Sequence, residues 1–192
     1  MTAGFRAALL AVPAVERDAW VDRLLGLHAI PDDGPALPRG GVPYLPCAVE
    51  ALLRVVELAE VTSTDVVVDV GAGVGRAAAV LHLLTGAATI GLEIQPALVQ
   101  AAHDLVTRLP TLRFEPVEGD APQLTGHLAR GTVFFLYCPF GGDRLASLLD
   151  RLEAVAATRP IRVATVDLPL PARPWLTLTT PADDAVAVYR SR

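Results

Sequence analysis

The sequence predicts an α/β fold: a doubly wound, mainly parallel sheet of seven strands with an antiparallel C-terminal hairpin strand, preceded by N-terminal helices. From residue 65 onward, short apolar runs alternate with helical segments, which is the pattern of parallel strands joined by crossover helices. The 192 residues are 52% hydrophobic and 19% charged, so the chain can bury a core of its own. We therefore expect one structural domain.

The first 60 residues are predicted to contain two helices and a loop. Residues 15–27 place Val15, Trp20 and Leu24 at helical spacing with charged residues between them. Residues 31–46 are rich in proline and glycine, which excludes a regular element. A second helix is predicted over residues 47–60. We accordingly divide the chain into an N-terminal helix and Pro/Gly-rich loop, residues 1–46, and an α/β unit, residues 47–192.

The α/β unit is predicted to contain seven strands and three further helices. Its first strand, residues 65–70, is a β-branched run of the kind that a strand buried on both faces requires. The other strands are predicted over residues 89–93, 112–118, 132–138, 161–166, 175–179 and 185–189, and the helices over residues 76–84, 97–109 and 143–157. Residues 181–184 join the last two strands as a hairpin. Only residues 168–174 separate the fifth strand from the sixth, which is short for a parallel crossover. Either a helix is missing there or the sixth strand is placed irregularly.

Composition excludes several classes of protein. The net charge is −5 and no basic face is visible, so nucleic acid is an unlikely partner. The most apolar stretch, residues 77–92, falls short of the about 18 apolar residues of a membrane span. Two cysteines, Cys47 and Cys138, make neither a disulfide framework nor a metal set, and the four histidines lack metal-ligand spacing. The apolar run over residues 7–12 has too thin a basic flank for a secretory leader, so we expect a cytoplasmic protein.

A glycine-rich turn between the first strand and its helix is the sharpest signal in the sequence. Gly71 and Gly73 allow a tight turn and a close approach to a ligand, and Gly75 lets the helix lie close to the sheet. The start of the helix offers free N–H groups and a partial positive charge. In a parallel sheet, ligands bind at this point, beyond the carboxyl ends of the strands. A plain tight turn is the alternative explanation.

Two carboxylates follow the turn in the order that a nucleoside site requires. Glu93 ends the second strand about 20 residues past the glycines, where an acid can accept hydrogen bonds from both ribose hydroxyls. Asp120 follows the third strand, where the acid or its neighbouring backbone can contact an adenine edge. Three such signals on three successive strand ends predict a nucleoside-binding cleft.

These segments, VVVDVGAGVG, GLEIQ and EGDA, resemble the S-adenosylmethionine sites of class I (seven-strand, Rossmann-like) methyltransferases. The resemblance extends from residue 65 to the C-terminus. It implies that Asp69 and the three glycines line the methionine half of S-adenosylmethionine, that Glu93 holds the ribose, and that Asp120 lies on the adenine side. The cofactor-binding residues that it implies within these motifs are Asp69, Gly71, Ala72, Gly73, Gly75, Glu93, Ile94, Asp120 and Ala121.

Two other functions fit the same motifs less well. A nicotinamide or flavin dinucleotide site has the spacing G-x-G-x-x-G, whereas here the third glycine comes one residue early. Asp69 would also face a pyrophosphate, which is electrostatically unfavourable, whereas an acid near a sulfonium and an ammonium group is favourable. A non-catalytic module that binds S-adenosylmethionine is the second alternative.

The segments that flank the turn show a narrower resemblance. Pro43-Tyr44-Leu45-Pro46, followed by a helix and then the glycine turn, is similar to the arrangement in protein-lysine methyltransferases of this fold that lack a SET domain. The resemblance implies that the loop over residues 31–46 is a lid and that Tyr44 folds over the cofactor. An ordinary core or surface tyrosine is the alternative.

The end of the fourth strand is where the methyl acceptor is expected. Amino-directed members of the family carry Asn/Asp-Pro-Pro-aromatic there, whereas this chain has Tyr137-Cys138-Pro139-Phe140. A thiol is a weak hydrogen-bond acceptor, which argues against amine methylation through that motif. We take Tyr137 and Cys138 as the candidate catalytic residues and Asp167, at the end of the fifth strand, as a candidate substrate contact. The acceptor, a protein side chain or a small molecule, stays open.

Overall fold

The computed structural model describes residues 2–32, 34, 37, 42–181 and 184–192. Its helices are α1 (Thr2–Ala11), α2 (Arg17–Leu25), α3 (Val49–Leu58), α4 (Arg76–Thr85), α5 (Pro96–Arg108), α6 (Thr125–Leu128) and α7 (Gly142–Ala156). Its strands are β1 (Val66–Val70), β2 (Ala88–Glu93), β3 (Phe114–Glu118), β4 (Val133–Tyr137), β5 (Arg162–Val166), β6 (Leu176–Leu178) and β7 (Val186–Ser191). The elements predicted from the sequence are all present, with ends that differ by no more than two residues.

The seven strands form one sheet in the order β3-β2-β1-β4-β5-β7-β6. Strands β1 to β5 are parallel to one another, and β7 is antiparallel to both β5 and β6. The predicted fold class is therefore confirmed. The central strand β1 is covered on both faces, which explains its β-branched run. The strand order reverses between β1 and β4, which creates the crevice where ligands bind in such sheets.

The connection between β5 and β6 explains the short gap in the sequence. Residues 167–175 contain no helix, so the first of the two alternatives applies. Strand β6 lies at the sheet edge with β7 between it and β5, and the connection runs across the face that α7 covers. Leu168, Leu170 and Trp175 pack there against the core, in the place of a crossover helix. The predicted turn at residues 181–184 lies partly outside the described residues.

Two helices were not predicted. Helix α1 coincides with the apolar run near the N-terminus, and its Leu9 is fully buried against the rest of the core. Helix α6 has four residues, too few to show a helical period. No described helix has the length and apolar character that crossing a bilayer requires.

Helices cover the sheet unequally. Core residues of α1 to α5 pack on one face, whereas α6, α7 and residues 168–175 cover the other. At the amino ends of β1, β4 and β5, Asp65 accepts hydrogen bonds from Thr62 N (2.8 Å) and Thr132 Oγ1 (2.8 Å) and pairs with Arg162. This cluster fixes the end of the sheet opposite the crevice, so the functional residues are found at the carboxyl ends.

Candidate functional site

A cavity of about 180 Å³ lies at the carboxyl ends of β1, β2, β4 and β5. Residues 42–46, which we call the lid segment, form one of its walls and contain no helix or strand. Seven residues predicted as site residues line this cavity: Tyr44, Gly71, Glu93, Ile94, Ala121, Tyr137 and Cys138. The remainder of the predicted lid, except residues 31, 32, 34 and 37, lies outside the described residues.

The three glycines of the turn leave room for different neighbours. All three have positive φ angles, which favours glycine. Gly71 lies on the cavity wall. A Cβ on Gly73 would lie 2.2 Å from the ring of Tyr44, and one on Gly75 would lie 2.3 Å from the ring of Phe114. Gly73 therefore admits the lid tyrosine, whereas Gly75 faces away from the cavity and admits a core side chain beneath α4.

Glu93 joins the glycine turn to the end of β2. Its carboxylate accepts hydrogen bonds from the backbone N–H groups of Gly73 (2.9 Å), Ile94 (2.8 Å) and Gln95 (2.9 Å). The side chain is buried, yet it lines the cavity. Because a carboxylate has about four acceptor positions, about one remains for a hydroxyl group of a ligand. Glu93 is thus both a binding group and a structural link.

Asp69 carries an oxygen without a hydrogen-bond donor. It is 2% exposed, and its Oδ2 atom meets no donor among the described residues. Burial, together with the charge of Glu93, raises the pKa of Asp69 to about 7. Asp69 and Ala72 line a second cavity of about 20 Å³ beside Tyr44. A cationic group of a ligand would provide the opposite charge that stabilises the ionised form of this buried carboxyl group.

Arg76 fixes the N-terminal part of the chain to the site, and sequence reasoning missed it. The buried guanidinium donates to Asp22 (2.6 Å) and Asp18 (2.8 Å) on α2. It also donates to the carbonyl oxygen of Cys47, just after the lid segment (2.6 Å). These contacts hold α2 and the base of the lid against the start of α4. The sequence offers no signal for them, since the partners lie about 30 to 60 residues away.

On the predicted adenine side, residues on both sides of Asp120 line the cavity, and the carboxylate of Asp120 pairs with an arginine. Gly119 and Ala121 are cavity residues. The carboxylate of Asp120 instead accepts a hydrogen bond from Nη2 of Arg144 at 2.6 Å. The guanidinium of Arg144 lies 4.6 Å from the ring centre of Phe140 and also lines the cavity. The sequence did not identify Arg144, which α7 brings to the site from 24 residues away.

The end of β4, close to Phe140 in the sequence, and the end of β5 form another part of the cavity wall. Tyr137, Cys138 and Asp167 line the cavity together. The thiol of Cys138 contacts the carbonyl oxygens of Asp167 (3.2 Å) and Val166 (3.5 Å). Burial raises the pKa of Cys138 and that of Tyr137, and the charge of Asp167 adds to both effects. At neutral pH these two groups can donate hydrogen bonds, but they are poor proton acceptors.

The described residues offer no metal site and no histidine on the cavity wall. No group of three metal-ligating side chains occurs in that part of the chain. His82 is buried, and its Nδ1 pairs with the carbonyl oxygen of Ala87 at 2.7 Å. A structural role accounts for this histidine.

Comparison with known proteins identifies a family. The model of the protein-L-isoaspartate(D-aspartate) O-methyltransferase (PCMT) family matches residues 7–127, which is more than half of the chain. The matched residues extend from α1 into α6, so they include the glycine turn, Glu93 and Asp120 but neither β4 nor β5. No curated protein sequence matches the chain significantly.

Solved structures share the fold. An RNA methyltransferase from Salinibacter ruber, in complex with S-adenosyl-L-homocysteine, is 24% identical with a TM-score of 0.53, over 77% of this chain and 92% of that one. A precorrin-6y C5,15-methyltransferase from Geobacter metallireducens is 15% identical with a TM-score of 0.56, over 79% of this chain and 92% of that one. At these identities the similarity concerns the fold, whereas the acceptors differ from one protein to another.

Proposed function

Because the chain belongs to the protein-L-isoaspartate(D-aspartate) O-methyltransferase family, we propose that it methylates a carboxyl oxygen of a protein side chain. That it is an S-adenosylmethionine-dependent methyltransferase of class I follows from the family and confirms the resemblance found in the motifs. This identity decides against the dinucleotide site and against a module without catalysis. The nature of the acceptor is the part that we propose.

The residues at the ends of β1 and β2 fit the donor. S-Adenosylmethionine supplies a methyl group on a positively charged sulfonium. The buried oxygen of Asp69 without a donor suits the ammonium group of the methionine half. Glu93, held by three backbone N–H groups, presents its remaining acceptor position to a ribose hydroxyl. Tyr44, against Gly73, covers the turn and keeps water from it.

The position of Arg144 is the observation that supports a carboxyl group as the methyl acceptor. Arg144 lines the cavity. The hydrogen bond from its Nη2 atom to Asp120 engages one of the five N–H donors that a guanidinium has. A planar guanidinium held against Phe140 is suited to a carboxylate in two-point contact.

The acid–base properties of the site agree with that acceptor. A carboxylate is deprotonated at neutral pH and needs no base before it attacks a methyl group. Tyr137, whose pKa is raised, can donate to the second acceptor oxygen, and the thiol of Cys138, whose pKa is also raised, donates to the Asp167 carbonyl instead, so neither group supplies a base. The electron pair comes from the carboxylate oxygen, the C–O bond forms as the C–S bond breaks, and no proton moves. An amine would first have to lose a proton.

The overall charge favours a protein acceptor over nucleic acid. The chain carries a net charge of −5, which opposes the approach of a polyanion. At the mouth of the cavity, Val42 and Leu45 are 47% and 62% exposed, so a peptide would meet an apolar rim. A small-molecule acid would not need this rim.

The chemistry of the product tests the proposal. The enzyme is incubated with methyl-labelled S-adenosylmethionine and three peptides that differ at one residue, which is isoaspartate, aspartate or lysine. We expect label on the isoaspartyl peptide that alkali releases as methanol, because methyl esters hydrolyse and methylamines do not. Arg144→Gln should weaken labelling about tenfold or more, whereas Arg151→Gln, exposed on the same helix, is the matched control. Alkali-stable label on the lysine peptide would refute a carboxyl acceptor and favour an amine.

A further inference from the structure

The geometry points to a second acceptor-binding group: we propose that Asp167 binds an N–H group of the methyl acceptor and that Cys138 positions it. Asp167 would be a specificity-determining residue and Cys138 a positioning residue. The proposal deepens the proposed function, since it concerns the same cavity. It places one recognition element on β5, beyond the residues that match the family model.

The backbone at this place is strained. Among the described residues other than glycine, only Glu60, Cys138 and Asp167 have positive φ angles. Cys138 (φ 43°) and Asp167 (φ 52°) end neighbouring strands and both line the cavity. A non-glycine residue in this conformation costs about 1 kcal/mol or more and persists where surrounding contacts impose it. Two adjacent cases in one cavity wall indicate a local geometry that is maintained for a ligand.

Contacts from two sides impose the conformation of Asp167. Its backbone N–H donates to the carbonyl oxygen of Ala185, next to β7, at 2.9 Å. Its carbonyl oxygen lies 3.2 Å from the Cys138 thiol, which also reaches the preceding carbonyl, that of Val166. Both main-chain polar groups of Asp167 are therefore held. The left-handed backbone conformation then determines the direction of the Asp167 side chain.

The charge of Asp167 acts on the interior of the site. It raises the pKa of Tyr137 and of Cys138, which line the main cavity, and contributes to the raised pKa of Cys47, which lines the smaller one. Such effects fall off with distance, so the carboxylate lies within electrostatic reach of both cavities. The negative charge of Asp167 therefore influences the part of the cavity where an acceptor would lie, and not only the solvent.

A carboxylate in this place recognises N–H donors. It has acceptor positions only, and a charge-assisted hydrogen bond from an amide or a cationic nitrogen is the contact that it makes best. The described donor-side acids are otherwise engaged: Glu93 is held by backbone N–H groups, and Asp69 lies in the smaller cavity. Arg144 and Asp167 together would fit an acceptor with a carboxyl group and a nearby N–H, which is the chemistry of a peptide.

Steady-state kinetics with both substrates tests the proposal. Asp167→Asn keeps the backbone conformation, because asparagine tolerates a positive φ. It should raise the KM for the acceptor peptide about tenfold to a hundredfold, with the affinity for S-adenosylhomocysteine unchanged. Cys138→Ala should raise the same KM, and Cys138→Ser, whose hydroxyl can still donate to the Asp167 carbonyl, should restore it. Glu60→Gly removes the same backbone strain far from the cavity and is the control.

Two results would overturn the proposal. Asp167→Asn could weaken S-adenosylhomocysteine and leave the acceptor KM unchanged, which would place Asp167 on the donor. Alternatively, Cys138→Ala and Cys138→Ser could behave alike, which would remove the positioning role. Should the wild-type enzyme label neither the isoaspartyl nor the aspartyl peptide, the carboxyl proposal fails by itself. The variants are then compared on labelled proteins of a cell extract, where an Asp167→Asn enzyme as active as wild type refutes this inference.

Discussion

Replacement of Glu93 by alanine should weaken both the fold and the binding of S-adenosylmethionine. The carboxylate accepts three backbone N–H groups, one from the glycine turn at Gly73 and two from the residues that follow β2. Alanine would leave all three donors without their partner. The bonds from Gly73 and Gln95 are buried and the bond from Ile94 is partly buried, so water reaches the Ile94 donor most easily.

The size of the loss follows from these bonds. A hydrogen bond to a charged group contributes about 1.5–3 kcal/mol, and a buried donor left unsatisfied costs about 1–3 kcal/mol. Water can replace the bond from Ile94, and the contributions of neighbouring bonds do not add fully, so we expect a loss of about 2–4 kcal/mol rather than the full sum. For a chain of this length, that corresponds to a decrease in Tm of roughly 5–15 °C. Affinity for S-adenosylhomocysteine should fall about tenfold to a hundredfold as well.

Thermal unfolding and calorimetric titration measure the two effects on the same protein. Glu118→Ala is the matched control. Glu118 lies on β3, is exposed, and pairs in register with Glu93 of β2. A Tm for Glu93→Ala within about 1 °C of that of Glu118→Ala would show that the three bonds do not stabilise the turn. An unchanged affinity for S-adenosylhomocysteine would show that Glu93 does not hold the ribose.

Three further predictions concern the donor side. The pKa of Asp69 rises from 3.8 to about 7 on folding, so the folded state binds the extra proton and stability should fall as pH rises from about 4 to 7. Chemical denaturation across that range should show this slope, and Asp69→Asn should flatten it. Arg76→Met should cost about 1–3 kcal/mol in unfolding free energy, with faster proteolysis of α2, because the released carboxylates can be hydrated. Gly73→Val should abolish S-adenosylhomocysteine binding by displacing Tyr44, whereas Gly126→Val, in open space, should not.

The fold and the order of the binding motifs were predictable because their signals are local. The run from Val66 to Val70 specifies a strand buried on both faces, and the glycines that follow specify a turn that other residues cannot adopt easily. The alternation of strand and helix segments along the sequence also places Glu93 at the end of a strand. Helix α1 was not predicted because its apolar positions were interpreted as a leader-like run.

The contacts that complete the site could not be predicted, because they depend on packing between distant segments. Gly73 was expected to approach a ligand, yet a tyrosine from the lid lies against it. Asp120 or its neighbouring backbone is predicted to contact the adenine, and the sequence did not show that the carboxylate pairs with an arginine from α7. In each case the sequence specifies that a neighbour is close, and tertiary packing decides which one.

The two halves of the site come from different parts of the chain, and this separation has a consequence for specificity. The donor-side groups lie at the ends of β1, β2 and β3, within the residues that match the family model, whereas Tyr137, Cys138 and Asp167 lie at the ends of β4 and β5, outside them. The halves meet at Gly71, where an added Cβ would lie 2.7 Å from Cβ of Pro139. Because this contact leaves no room for a side chain on Gly71, the donor wall is fixed against β4. The acceptor-side residues next to Pro139 are therefore held at a fixed position relative to the donor wall.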